Sequence, residues 1–281
     1  MKSYGTADNP WPELPPAASL YSVSWAGDMA VELRNTGHGS TATQYRYIKY
    51  SPSMDTAQGS LCYWVKIATD DDGYIAWDTW PGLIVPGVYQ GEFHADQYFQ
   101  YDGNFIQRVN SIIASAGENW WPICRDTGIT FDRWIAVQMS WDAPGDKFTI
   151  AVDGRDRDWT YLAKLGTVRT LRGPEQIIVS TSFETVSYYD VWFSREFIDF
   201  ERADNRARFI DSDKKPVPLG ADGIKGSPTE RKPEFFFHCG SGDDPRKFFT
   251  HNLGTEGEIA GEGTSLTVFT KVAKPLAAGE P

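Results

Sequence analysis

The residues of this chain that could do chemistry are scattered acids, four histidines, three cysteines and several tryptophans beside turn residues, so spacing has to decide among them. Paired carboxylates could cleave a glycosidic bond, which needs the two groups about 5 to 10 Å apart. Glu184 and Asp190 would share a face if one strand ran through both, but that length of strand spans roughly 20 Å. Glu92 and Asp96 would lie about 13 Å apart in a strand and approach only if a turn folds between them. Solvation at the surface accounts better for these acids. His38, His94, His238 and His251 are too scattered for a zinc site, and no Cys stands at ligand spacing from them. Single histidines in an all-β protein are usually hydrogen-bonded parts of the structure. Neither a Gly-x-Ser-x-Gly elbow nor a Gly-rich phosphate loop occurs.

Asp70-Asp71-Asp72-Gly73 offers oxygens to Ca²⁺, a hard cation that takes roughly six to eight of them. A Ca²⁺ loop alternates its ligands, whereas this is a block, so an acidic turn between strands is the better account and no cofactor is expected. Trp77, Trp80, Trp120 and Trp121 sit beside Asp, Gly and Pro, where loops are expected. Aromatics displayed on loops stack on sugar rings or on partner proteins, which makes these four the candidate binding surface. Against this stands the general tendency of tryptophans in a sandwich to fill its core. Cys62, Cys124 and Cys239 are odd in number and widely spaced, which fits buried or half-buried thiols and neither a disulfide framework nor a metal pair.

The elements that must position these residues read as strands. At 281 residues the chain can bury a full core, and its 14% aromatic content suits a pleated, half-buried surface better than a helix. A net charge of -11, without long blocks of one sign, repels phosphate backbones and gains nothing from anionic lipid, so nucleic acid and membrane are not expected as partners. Met1-Lys2-Ser3-Tyr4-Gly5 opens into polar sequence without the apolar stretch of a secretory signal, and no segment approaches a membrane span. Synthesis and folding in a reducing cytoplasm are therefore expected.

Residues 1–20, with Pro10-Trp11-Pro12 and Pro15-Pro16, read as an extended arm. Alternation then places Tyr21, Val23 and Trp25 on one strand and Met29, Val31 and Leu33 on the next, with Gly27-Asp28 as the break. Further strands are expected at Tyr45 to Tyr50, Leu61 to Ile67, Gly73 to Trp77, Gln97 to Tyr101, Phe105 to Ile113, Gln176 to Phe183 and Tyr188 to Phe193. The strand from Leu61 to Ile67 has the pattern of a sandwich strand with one face in the core. The clearest pair is a hairpin: Ile135, Val137, Met139 and Trp141 face one way, a turn follows at Asp142-Ala143-Pro144-Gly145-Asp146, and Phe148, Ile150 and Val152 return before Asp153-Gly154. One helix is expected over Phe200, Ala203, Ala207 and Ile210, with Asp199 as N-cap. Residues 211–233 read as an irregular loop, Glu234 to His238 and Ser265 to Thr270 as two later strands, and the last eight residues as a frayed tail.

Trp134-Ile135-Ala136-Val137, the partner strand Phe148-Thr149-Ile150-Ala151-Val152-Asp153-Gly154, and Tyr189-Asp190-Val191-Trp192-Phe193 together resemble the concanavalin A-like, laminin-G-type jelly rolls over about residues 20 to 200. Ala203-Asp204-Asn205-Arg206-Ala207-Arg208-Phe209-Ile210-Asp211, then Lys215-Pro216-Val217-Pro218-Leu219-Gly220-Ala221-Asp222-Gly223, Phe249 and Asn252-Leu253-Gly254 are similar to a segment of tailed-bacteriophage structural proteins of this type. The glycoside hydrolases of the fold share a Glu-x-Asp-x-x-Glu run, which this chain lacks. Neither resemblance implies a catalytic role for the residues that carry it.

The expectation is thus an all-β protein, a concanavalin A-like jelly-roll β-sandwich over residues 21–198, with one short helix and an irregular C-terminal extension over residues 199–281. Its expected role is that of a non-enzymatic virion protein of a tailed phage, decorating the capsid or forming a neck or tail appendage. Its expected partners are other virion proteins and copies of itself. The alternative is a carbohydrate-binding lectin for cell-surface glycans, compatible with the first, and the third reading is a glycoside hydrolase.

Overall fold

The computed structural model describes residues 28–35, 45–49, 58–67, 83–84, 108–109, 112–113, 120–124, 129–130, 132–164, 176–180, 185–257, 260–262 and 267–276. The proline-containing arm and the strands expected around Tyr21 to Trp25, Gly73 to Trp77 and Gln97 to Tyr101 lie outside these residues. In chain order the strands are β1 (Asp28–Asn35), β2 (Tyr45–Lys49), β3 (Gln58–Ile67), β4 (Leu83–Ile84), β5 (Arg108–Val109), β6 (Ile112–Ile113) and β7 (Trp120–Cys124). Next come β8 (Ile129–Thr130), β9 (Trp134–Asp142), β10 (Lys147–Val152), β11 (Arg155–Asp156), β12 (Thr160–Lys164), β13 (Gln176–Ser180) and β14 (Thr185–Ser194). The last four are β15 (Phe235–Phe237), β16 (Cys239–Gly240), β17 (Ala260–Glu262) and β18 (Thr267–Val272), and the one α-helix among the described residues, α1, covers only Ala203–Arg206.

Nine strands form the main sheet in the order β11-β10-β9-β3-β14-β1-β16, with β15 also on β14 and β18 also on β1. Smaller sheets run β12-β7-β6, β17-β2-β13-β4 and β5-β8. Every pairing in the main sheet is antiparallel, yet β3 lies between β9 and β14, and β14 beside β1, so most neighbours are far apart in the chain, as jelly-roll winding requires. The expected all-β class, antiparallel with one short helix, is the observed one.

The hairpin pairs Asp142 with Lys147 and Val137 with Val152. Its turn is held by Asp142 Oδ1, which accepts from Gly145 N at 2.9 Å. The next turn carries Asp153 at φ 52° and Gly154 at φ 73°, the left-handed pair of a type I′ hairpin, before Arg155 returns opposite Val152. Asp153 also ties this turn back to β9: its Oδ1 accepts from Ala136 N at 3.1 Å and its Oδ2 from Arg133 Nη1 at 3.0 Å.

The strand patterns predict one buried face, whereas the structure buries both. All nine residues of β9 are buried. On one face Ile135, Val137, Met139 and Trp141 join Leu61, Tyr63, Val65, Val31, Leu33 and Phe193 in the main core. On the other, Cys62, Ala151 and Trp192 pack against Ile198, Phe200, Phe209 and Leu219. Beside them Ala30, Trp64, Trp134, Ala136 and Tyr189 pack with Ile210.

The cover is the segment that follows β14, and the polar residues interleaved on the strands attach it. Ser60 Oγ and Ser140 Oγ accept from Ile198 N at 2.9 and 3.0 Å, and Thr149 Oγ1 accepts from Phe200 N at 3.1 Å. Gln138 Nε2 donates to Arg206 O at 2.9 Å, and Trp192 Nε1 donates to Gly223 O at 2.8 Å. Side chains that look solvent-facing in sequence therefore pair the backbone of an irregular chain segment, whose amides lack a ladder of their own.

That segment is less helical than its periodicity predicts. Helix α1 starts after Arg202, which makes no side-chain cap, and none of its residues is buried. Asp199 is not the N-cap: its Oδ1 accepts from Glu201 N at 3.0 Å in a local turn. Of the expected apolar face Phe200 and Ile210 are buried, from either side of the helix, while Ala203 and Ala207 are exposed; Phe209, outside that period, is buried as well. Arg206 stiffens them by donating through Nη1 to Phe200 O at 2.6 Å and Glu201 O at 2.8 Å.

Farther on, the two later strands appear as β15 and β18, hydrogen-bonded to β14 and β1. Asn252 fastens the chain beyond β15, its Oδ1 accepting from Phe236 N at 2.9 Å and its Nδ2 donating to Glu234 O at 3.0 Å. A Cβ on Gly254 would stand 2.4 Å from Glu234 O, so only glycine fits there. Phe209→Ala should cost about 3–5 kcal/mol in urea unfolding by opening a cavity beneath Trp192. Gly254→Ala should cost about 1–3 kcal/mol because backbone has to give way, whereas Gly242→Ala, with nothing within 4 Å of the new methyl, should stay within about 0.5 kcal/mol.

Candidate functional site

The described residues gather one histidine between two carboxylates, at the point where the main sheet branches. Strand β14 pairs with β1 through Thr185 to Tyr188 and with β15 through Val191 to Phe193. Between these stretches its register against β3 shifts, from Tyr189 opposite Trp64 to Trp192 opposite Cys62. Asp190 occupies the gap at φ 49°, a left-handed conformation that aspartate tolerates better than most residues. The bulge restores alternation, so that Tyr188, Val191 and Phe193 all join the main core while Tyr189 and Trp192 pack on the covered face.

His238 links β15 to β16, and β16 sets Gly240 opposite Asp28 at the start of β1. Its Nδ1 lies 2.6 Å from Asp190 Oδ1 and its Nε2 lies 3.3 Å from Asp28 Oδ1. Asp28 Oδ2 also accepts from Tyr189 Oη at 3.5 Å and pairs with Lys274 Nζ at 3.5 Å. The imidazole stacks on Phe236, with centroids 5.7 Å apart and planes 25° apart. Burial raises the Asp190 carboxyl above its ordinary value, and the hydrogen bond and charge of His238 offset only part of that rise. For His238, burial alone would lower the imidazole, but the hydrogen bond and charge of Asp190, followed by Asp28, hold it above its ordinary value. The Tyr189 phenol is pushed up by burial and then by the two carboxylates.

This arrangement can hold a proton and join three chain segments. Asp190 also lines a cavity with Cys62, Gln138, Phe209 and Leu219, but at about 10 Å³ it has room for a single water and not for a sugar or cofactor. The three cysteines are buried and form no disulfide with one another. Burial pushes the Cys62 thiol well up and the Cys239 thiol to about 11, so neither is a thiolate nucleophile at neutral pH. Among the described residues no group of three or more His, Cys, Asp or Glu could hold a metal ion.

Of the residues singled out from sequence, Asp70, Asp71, Asp72, Trp77 and Trp80 lie outside the described residues. Trp120 and Trp121 belong to strand β7, opposite Lys164 and Ala163 of β12, and not to a loop. Neighbouring Pro122 suggested a turn, but a short strand in a small sheet accommodates it. Asp190, expected to be a solvated surface acid, is only 6% exposed and paired. The cluster has a sequence signal: Asp190 interrupts the otherwise apolar run Tyr188-Tyr189-Asp190-Val191-Trp192-Phe193, and His238 ends Phe235-Phe236-Phe237. A charge in a doubly buried strand needs a partner, and the nearest late buried strand ends in one.

No protein-family model matches the chain. No curated protein matches it in sequence. Among solved structures, the native heptameric SAP-like pentraxin from Limulus polyphemus is similar over 89% of this chain and 97% of its own, at 8% identity and a TM-score of 0.48. A putative carbohydrate binding protein from Bacteroides ovatus covers 89% of this chain and 62% of its own, at 12% identity and 0.43. The binding domain of Paraclostridial Mosquitocidal Protein 1 covers 65% and 44%, at 9% and 0.38. At these identities no residue here takes a role from its counterpart.

Removal of the Asp190 carboxylate should leave His238 facing an uncompensated pocket. Asp190→Ala is expected to cost about 3–5 kcal/mol in urea unfolding. Asp190→Asn, which tolerates the left-handed bulge and still accepts from Nδ1, should cost clearly less.

Proposed function

We propose that the chain is a non-catalytic structural protein of a tailed-phage virion, a β-sandwich subunit that assembles with other virion proteins and with copies of itself. The observation that carries this reading is the fate of the stretch whose sequence resembles phage structural proteins. Phe209 and Leu219 from that stretch cover Trp192, Ile210 packs beside Tyr189, and Asn252 and Gly254 anchor the return past β15. The stretch thus works as a built-in cover of the sheet, with its large apolar side chains packed against it. The His238 cluster supports the same reading, because its carboxylates are tied to a sheet junction with a water-sized cavity beside it.

A second reading, a lectin for cell-surface glycans, is favoured by the placement of Trp120 and Trp121. They lie on β7 of the three-stranded sheet and not in the large sheet, whose faces are filled by the chain itself. With Trp77 and Trp80 they remain the proposed sugar-stacking residues.

Antibodies raised against the full chain should decorate intact purified virions in gold-labelling electron microscopy; labelling confined to soluble lysate would count against the virion reading. On a glycan array, binding that is lost in Trp120→Ala or Trp121→Ala while the melting temperature is kept would establish the lectin reading. Release of reducing sugar from any glycan on that array would overturn the non-catalytic assignment.

A further inference from the structure

We propose that His238 is a protonation-controlled latch: its doubly protonated ring ties Asp28, at the start of β1, to Asp190 in β14, and loss of one ring proton releases the β1–β16 contact while the Asp190 contact stays. With both carboxylates ionised, the geometry calls for two ring protons. Carboxylate oxygens accept and do not donate, and one stands opposite each ring nitrogen, at 2.6 Å from Nδ1 and 3.3 Å from Nε2. A neutral imidazole carries a single N–H, so one nitrogen would turn a lone pair towards a carboxylate. The proton should stay on Nδ1, because Asp190 is the closer and more deeply buried partner, 6% exposed in its side chain against 39% for Asp28. Release therefore falls on Asp28.

The groups facing the ring come from every element around it. Strand β14 contributes Asp190 and Tyr189, β1 contributes Asp28, the segment after β18 contributes Lys274 through Asp28, and β15 contributes the uncharged face of Phe236. What depends on Asp28 is short: β16 pairs with β1 only at Asp28 with Gly240 and Met29 with Cys239. Two residue pairs cannot hold a strand without side-chain help, whereas the β14 pairing on the other side of the junction is long. The opening is thus local, limited to β16, the first residues of β1 and the Lys274 contact.

The direction with pH follows from linkage. His238 is held above its ordinary value of 6.5, so the closed form is fully favoured below that value and loses its advantage as pH rises through the residue's own higher value. Full-length protein labelled with nitrogen-15 histidine should show both His238 ring nitrogens protonated at about pH 6.5, and on titration the remaining proton should sit on Nδ1. In hydrogen exchange, protection at Met29 and Cys239 should fall by up to about tenfold per pH unit inside that window, beyond the intrinsic base-catalysed rise. Asp28→Asn, whose side-chain amide can donate to a neutral Nε2, should return the titration towards the ordinary value and abolish the excess pH dependence. A singly protonated ring in the wild type at pH 6.5, or the same excess dependence in Asp28→Asn, would overturn the latch. Should Asp28→Asn fail to fold, the ring spectrum of the wild type decides alone.

Discussion

A sheet that carries large apolar side chains on both faces has to be covered twice, and that constraint organises this molecule. Trp192 is fully buried on the face opposite the main core, stacked edge-on with Phe209 at 5.1 Å and hydrogen-bonded to Gly223 O. The chain beyond β14 has little regular structure to satisfy its own amides. It gains order because Ser60, Ser140, Thr149 and Gln138 supply the partners that a neighbouring strand would otherwise supply. Apolar contact and polar pairing act on the same surface, and neither alone would hold so irregular a segment in one place.

The same logic produces the junction at His238. Strand β14 cannot pair with β1 and β15 along one edge without a point where its partner changes, and at that point its backbone is left without a regular ladder. The bulge at Asp190 absorbs the change, and the histidine, itself held by the second carboxylate, satisfies the charge that the bulge buries. The cluster is thus a consequence of sheet topology before it is anything else. Glu234, 1% exposed and paired with Arg195 and Arg231 at 2.8 and 3.1 Å, does a similar job at the start of β15.

Strong alternation was legible in sequence: Ile135, Val137, Met139 and Trp141 point where their period says, and the Asp153-Gly154 turn is the hairpin its residues imply. The covered face was not legible, because Ser60, Ser140 and Gln138 look the same whether they meet water or a passing backbone. The helix is shorter than the spacing of Phe200, Ala203, Ala207 and Ile210 implies, since Phe200 and Ile210 are held against the sheet from outside it while Ala203 and Ala207 are exposed. Only local order shows in periodicity. The pairing of His238 with Asp28, more than two hundred residues earlier in the chain, is a product of topology and leaves no local trace.

The pairing of β1 with β16 and β18, and of β14 with β15, also sets when the protein can become itself. Strand β1, towards one side of the main sheet, acquires its partner β18 only after residue 272 has been synthesised, so that side of the sheet stays open after β3, β9 and β14 are complete. Until then β1 lacks that neighbour, and the nascent chain presents an unpaired strand edge. A chain interrupted before β18 would therefore carry a sheet edge open to pairing with another chain.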